Sequence, residues 1–116
     1  MESILTDNNE CCYLCRLENK FTRRECVHHI YGGALRNTSE RMGFKVPLCN
    51  KHHNMGDGAV HFNRPLDLKL KSLCQAKFEE THSRQEFMRL IGRNYLSCVD
   101  DYVEEIKELL SRRANG

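Results

Sequence analysis

Two short motifs that supply four metal-binding side chains constrain this chain most. Cys12 and Cys15 form a Cys-x-x-Cys pair, and Cys49 and His52 form a Cys-x-x-His pair further along. Thiolates and imidazoles at this spacing are typical ligands of a tetrahedral structural zinc ion. The pattern therefore predicts a Zn²⁺ ion that joins the two ends of a small motif.

Two substitutions within this ligand set remain open, because Cys11 is adjacent to Cys12 and His53 is adjacent to His52. The chain has seven cysteines, an odd number, and neither a secretory signal nor a long apolar run accompanies them. This usage predicts a reducing, cytoplasmic setting without a membrane span, where clustered cysteines serve as metal ligands. The remaining cysteines have no partner at ligand spacing and are expected to be small buried apolar residues: Cys26, Cys74 and Cys98.

Two histidine doublets accompany the cysteines. Consecutive helical residues point about 100° apart, so His52 can complete the zinc site while His53 faces a second centre. On a regular strand, His28 and His29 would face opposite sides. They can serve one site only if the strand ends or twists there, which the glycines at 32–33 allow.

The length of 116 residues suits one domain, or a small domain with a helical extension. The N-terminal half is short of apolar residues, so a metal staple would supply stability that its core lacks. We predict an α+β fold in three parts. These are a flexible leader at residues 1–10, a zinc-stapled motif at 11–62, and a helical extension at 63–116 packed on the same domain.

Local patterns predict the elements of the motif. Residues 25–30 and 45–48 are expected to be short strands, the second at an edge because Pro47 cannot donate a ladder hydrogen bond. Residues 32–43 are rich in Gly, Asn, Thr and Ser and are expected to form a loop with room for one helical turn. Residues 50–54 are expected to form a helical turn.

Three helices are predicted in the second half. Asn63 is placed to cap the first helix, with Pro65 in its first turn. Ser83 and Glu86 form a capping box for the second helix, which Gly92 ends. A third amphipathic helix is expected after Ser97.

In this order, the motifs resemble those of the HNH (ββα-metal) nuclease family. The matching segments are Cys12-Tyr-Leu-Cys15, Val27-His28-His29-Ile30 and Leu48-Cys49-Asn-Lys-His52-His53. The match covers about half of the chain and is similar to small zinc-stapled proteins of phages and prophages. The resemblance implies a metal-dependent endonuclease that hydrolyses DNA phosphodiester bonds in phage or mobile-element DNA processing and recombination.

The same resemblance implies individual roles. His29 would be the general base that takes a proton from the attacking water. His28 and His53 would hold one catalytic cation, Mg²⁺ or Mn²⁺. Asn37 is the candidate for the asparagine that orients the base, and His61 is placed to complete the cation site.

The charge distribution suits a polyanionic partner. The net charge is only +2, but residues 16–51 contain eight Lys and Arg against three Asp and Glu. A solvated surface would explain these counts equally well. The candidates for contacts with DNA phosphates are Arg23, Arg24, Arg36, Arg41, Lys45 and Lys51. The absence of a recognition helix predicts weak sequence preference or selection by DNA structure.

Two other functions remain open. The chain could be a non-catalytic zinc-binding module that binds DNA, or a recombination or packaging protein, through the same basic segment. It could also be a helical adaptor whose last, acidic helix contacts a partner. A scaffold has no use for the extra histidine at position 29, so His29 distinguishes these hypotheses from the nuclease.

Overall fold

A computed structural model describes residues 2–53, 60 and 63–96 of the chain. Within them the fold is α+β, with one two-stranded antiparallel sheet and several helices. In chain order the elements are α1 (Tyr13–Leu17), β1 (Cys26–His29), a 3₁₀ helix (Gly33–Leu35), α2 (Arg36–Met42), β2 (Lys45–Leu48), α3 (Asn50–His53), α4 (Arg64–Phe78) and α5 (Arg84–Ile91).

The two strands form a hairpin that leads directly into a helix. Cys26 lies opposite Leu48 and His29 lies opposite Lys45. The pairing extends one residue beyond the strand, because the N–H of Ile30 donates to the carbonyl of Phe44 at 2.9 Å. Both predicted strands and the helical turn after them are therefore present, and together they give the order β1, β2, α3.

The segment expected to be a loop, residues 32–43, is mostly helical. Its small polar residues favour loops in isolation, but Ser39 is fully buried and fixed by tertiary contacts. Its hydroxyl donates to the carbonyl of Tyr31 at 2.7 Å and accepts from the N–H of Tyr31 at 3.2 Å. Gly43 then ends α2 in the left-handed conformation, at φ 76°.

The N-terminal residues, expected to be a loose leader, pack against this end of α2. Leu5 is 0% exposed and belongs to the core. The N–H of Ile4 donates to the carbonyl of Gly43 at 3.0 Å. The polar composition of residues 1–10 did not predict this packing. A single buried leucine and one backbone hydrogen bond produce no periodic pattern of apolar residues that could be recognised in the sequence.

Replacing Gly43 is expected to destabilise the fold. A Cβ there would lie 3.0 Å from the carbonyl oxygen of Glu2, and the left-handed backbone disfavours any side chain. Gly43→Ala should lower the free energy of unfolding by about 1–2 kcal/mol in urea denaturation. Gly32→Ala is the matched control, since its φ of −94° and open surroundings accept a methyl group. Equal stability of the two variants would contradict the expectation.

The helices of the second half begin and end as predicted. The side chain of Asn63 accepts a hydrogen bond from the N–H of Leu66 at 3.1 Å. Ser83 and Glu86 form the capping box of α5, and Gly92 follows it at φ 85°. The helix expected after Ser97 lies outside the described residues. Among the helices that are described, none has the length and apolar character needed to cross a membrane.

An aromatic cluster joins the hairpin to α4 and α5. The rings of Tyr31 and Phe44, which lie at the end of the hairpin where the chain connects the two strands, pack edge to face with centroids 5.6 Å apart. Phe44 meets Phe78 at 5.5 Å, and Tyr31 meets Phe87 at 5.7 Å. The hairpin and the two helices therefore share one core, which fixes the ends of both strands.

Candidate metal centre and histidine pair

Four potential ligands converge where α1 meets the β2–α3 junction. Cys12 and Cys15 lie at the start and within the first turn of α1, Cys49 follows β2, and His52 lies in α3. Their ligand atoms all lie within 4.8 Å of one another. This is the group the sequence predicted, brought together from two distant parts of the chain.

The distances fit a tetrahedral metal site. The Sγ atoms of Cys12, Cys15 and Cys49 lie 3.4, 3.3 and 3.4 Å from Nδ1 of His52. The Sγ atoms of Cys15 and Cys49 are 3.8 Å apart. With bonds of about 2.3 Å to sulfur and about 2.1 Å to nitrogen, a tetrahedron separates two sulfurs by about 3.8 Å and sulfur from nitrogen by about 3.6 Å.

Hydrogen bonding does not explain this cluster. One imidazole nitrogen carries either one proton or one lone pair, so it cannot bond to three thiols at once. A cation at the centre accounts for all of the distances together. The four residues could therefore hold a metal ion such as zinc.

Burial supports the same conclusion. Burial raises the pKa of the Cys12 thiol to about 12, because a thiolate loses its hydration there. Burial also lowers the pKa of His52, which favours the neutral imidazole that ligates metals. Burial therefore disfavours the charged forms of both residues, so a bound cation would have to displace the thiol proton of Cys12.

The two alternative ligands, Cys11 and His53, lie outside this group and form other contacts. The Sγ of Cys11 donates to the carbonyl of Cys12 at 3.5 Å, and the ring of His53 faces His28. The six cysteines within the described residues all carry free thiols. Cys74 is fully buried and Cys26 is half-buried, in keeping with the apolar roles expected of them.

Glu25 fixes α3, which supplies both histidines of the second doublet. Its two carboxylate oxygens accept from the N–H of Asn50 at 3.2 Å and from the Nδ2 of Asn50 at 2.7 Å. This contact ties the residue before β1 to the first residue of α3. No local pattern predicted this contact, since it joins two residues that lie 25 positions apart in the sequence.

His28 and His53 form a second histidine centre beside the metal cluster. His28 is buried on β1, and its ring meets that of His53 edge on, with centroids 5.5 Å apart. Two imidazoles bound to one ion at about 2.1 Å would hold their centroids roughly 5 Å apart. The observed separation is close to this value, and His53 lies outside the cluster that contains His52.

His29 does not join that pair. Its Nε2 lies 2.6 Å from the Oε2 of Glu40 on α2. Neighbouring residues of a strand face opposite sides, and β1 stays regular through His29. The expectation that residues 28, 29 and 53 meet in one pocket is therefore wrong in this structure, because the strand neither ends nor twists before position 29.

A three-residue cluster surrounds His29 instead. The Nζ of Lys45 donates to the Oε1 of Glu40 at 2.8 Å. Hydrogen bonds from Lys45 and His29 hold the pKa of the Glu40 carboxyl down at about 2. Glu40 was not among the predicted site residues, because it lies in the segment expected to be a loop. Lys45 is buried in this contact, which corrects its assignment to phosphate binding.

The other predicted site residues lie on several surfaces. Asn37 is exposed on α2 and forms no hydrogen bond to His29. His61 lies outside the described residues. The exposed basic side chains are Arg23, Arg24, Arg36, Arg41 and Lys51. They are distributed over the segment before β1, α2 and α3.

No protein-family model matches this chain, and no curated protein or solved structure matches it. The resemblance to the HNH family therefore depends on the motifs and their spacing. Any functional conclusion must come from the chemistry of the residues brought together here.

Proposed function

We propose that this chain is a zinc-stapled ββα endonuclease that hydrolyses DNA phosphodiester bonds with a divalent cation. The observation that supports the proposal is the contact between His28 and His53, one from β1 and one from α3. They meet directly behind a cluster of three cysteines and a histidine that suits zinc. A ββα unit with one metal centre for stability and one for chemistry is the arrangement that the HNH resemblance implies.

His28 and His53 would hold the catalytic cation through their ring nitrogens. A divalent cation there polarises the scissile phosphate and stabilises the leaving oxygen. Imidazole nitrogens suit first-row transition metals, whereas Mg²⁺ prefers oxygen ligands. Among the described residues no carboxylate joins the pair as part of a three-ligand group. We therefore expect Mn²⁺ to support higher activity than Mg²⁺.

His29 would act as the general base, a role that comes from the resemblance alone and that requires the end of β1 to turn its ring toward the cation held by His28 and His53. Its ring is held by Glu40, and Lys45 in turn holds Glu40. A carboxylate partner of this kind fixes the orientation and the tautomer of an imidazole. The side chain is 14% exposed, so one edge of the ring remains open to solvent.

One observation favours a second function. His29 forms a hydrogen bond of 2.6 Å with Glu40 on the face away from His28 and His53. Such a pair is also an ordinary structural contact between a strand and a helix. In that case the chain is a non-catalytic zinc-binding module that binds DNA through its exposed arginines.

Cleavage of supercoiled plasmid tests the proposal directly. Wild-type protein should nick the plasmid in Mn²⁺ and, more slowly, in Mg²⁺. His53→Ala should lower the rate about 100-fold or more, since a catalytic cation contributes several kcal/mol to transition-state stabilisation. His82→Ala is the matched control, because His82 is exposed and stacks on Phe78 in the helical half.

Two results would contradict the nuclease. One is plasmid that stays intact with the zinc-loaded wild-type protein in both cations. The other is equal nicking by wild type and His53→Ala, which would point to a contaminating enzyme. DNA binding without cleavage would favour the non-catalytic module.

A further inference from the structure

Phe21 is an apolar side chain with no place in the core. It is 74% exposed, the most exposed of the large apolar side chains within the described residues. Single exposed apolar residues are common on protein surfaces. Phe21 stands apart because of what holds it in place and what surrounds it.

Backbone hydrogen bonds on both sides hold the segment that carries Phe21. The N–H of Lys20 donates to the carbonyl of Cys15 at 2.9 Å, and the N–H of Cys12 donates to the carbonyl of Thr22 at 2.7 Å. The next residues pair with the chain before α1, through an isolated bridge between Cys11 and Arg23. The ring is therefore presented to solvent from a fixed backbone beside the cluster of three cysteines and a histidine.

Basic side chains flank this ring. Lys20, Arg23 and Arg24 are all exposed. Arg23 forms no ion pair with any residue that the structure describes. Arg23 lies two positions after Phe21 and forms the bridge with Cys11, and the side chains of both residues are exposed.

The nearby acids do not pair with Arg23. Glu18 forms its ion pair with Lys20, at 3.9 Å, and lies 3.9 Å from the Nε2 of His52. Glu25 accepts two hydrogen bonds from Asn50. A ligand for this surface needs a flat apolar face together with negative charge on either side, which a nucleic acid strand provides and an apolar protein segment does not.

We propose that Phe21 stacks on an unpaired base of DNA while Arg23 and Arg24 contact the adjoining phosphates. Bases inside a duplex are already stacked on their neighbours, so the face that Phe21 needs is free only in single-stranded or branched DNA. This inference rests on the proposed function and names the form of its substrate. Aromatic stacking is tolerant of sequence, in line with the absence of a recognition helix.

Binding of a fluorescent oligo(dT) and of a blunt duplex of equal length tests the inference. The zinc-loaded protein is used without Mg²⁺ or Mn²⁺, so that bound DNA is not cut. Phe21→Leu should raise the Kd for oligo(dT) about tenfold, because stacking on each base contributes about that factor. It should leave the Kd for the duplex unchanged.

Phe21→Tyr is the matched control, since it keeps the ring and should bind oligo(dT) like the wild type. A 2-aminopurine placed in the oligo(dT) should lose fluorescence on binding wild type and Phe21→Tyr, and retain it with Phe21→Leu. Position 21 is exposed, so all three proteins should have the same zinc content and melting temperature.

Two outcomes overturn the inference: Phe21→Leu binds oligo(dT) as tightly as the wild type, or it loses affinity for duplex and oligo(dT) equally. These outcomes are separate from failure of the nuclease. Stacking by Phe21 in a protein that nicks no DNA would reject the proposed catalysis alone. Nicking that is indifferent to Phe21 on branched and duplex substrates would reject this inference alone.

Discussion

Removal of the zinc ion is expected to unfold the hairpin half of the protein. Zinc-finger peptides gain roughly 10–16 kcal/mol on binding zinc at neutral pH, whereas whole domains are stable by only about 5–15 kcal/mol. A zinc ion on this cluster would join α1, through Cys12 and Cys15, to the end of β2 and α3, through Cys49 and His52. Without the ion, that link between the two segments is lost.

Elemental analysis should find one zinc ion per chain, and circular dichroism should show unfolding when a strong chelator is added. Cys15→Ser should lose both the zinc and the cooperative melting transition. Cys26→Ser is the matched control, since its Sγ donates to the carbonyl of Leu48 outside the ligand group. A Cys15→Ser protein that melts like the wild type would show that the ion does not staple the fold.

Loss of the His29 imidazole is expected to have the largest effect on cleavage. A positioned general base contributes about 100- to 10,000-fold to a hydrolytic rate. His29→Ala should therefore lower the rate of plasmid nicking in Mn²⁺ by that factor, with zinc content and melting temperature close to those of the wild type.

Glu40→Gln provides the control for this prediction. It removes the carboxylate that holds His29 and Lys45 but leaves the imidazole in place. If His29 is the base, Glu40→Gln should retain more activity than His29→Ala. If the contact is only structural, both variants should nick DNA like the wild type, and the opposite face of β1 would then have no part in catalysis.

Short-range patterns explain why several features could be predicted from the sequence. Cys12 and Cys15 lie three positions apart, and so do Cys49 and His52. Local backbone geometry is therefore enough to bring the two side chains of each pair together. The caps at Asn63 and Ser83 depend on bonds to residues three positions away. The strands at 26–29 and 45–48 followed from their residue types and their flanking glycines.

The HNH resemblance predicted a meeting between strand and helix histidines, and His28 and His53 do lie together. It also predicted that His29 would share their pocket. In the structure β1 stays regular, so His29 faces the opposite side and contacts Glu40. The difference depends on backbone twist at one position. Residue identity does not encode that twist, since the same doublet is compatible with a strand that continues or one that ends.

The sequence by itself determined which side chains can bind a metal ion and where the helices of the second half begin and end. These properties depend on donor chemistry and on hydrogen bonds within a few residues. Only the tertiary structure decided that residues 36–42 form a helix, that Leu5 is buried, and that Glu40 lies between His29 and Lys45. Each of these depends on contacts between distant parts of the chain, whose free energy outweighs local conformational preference and leaves no local pattern to find.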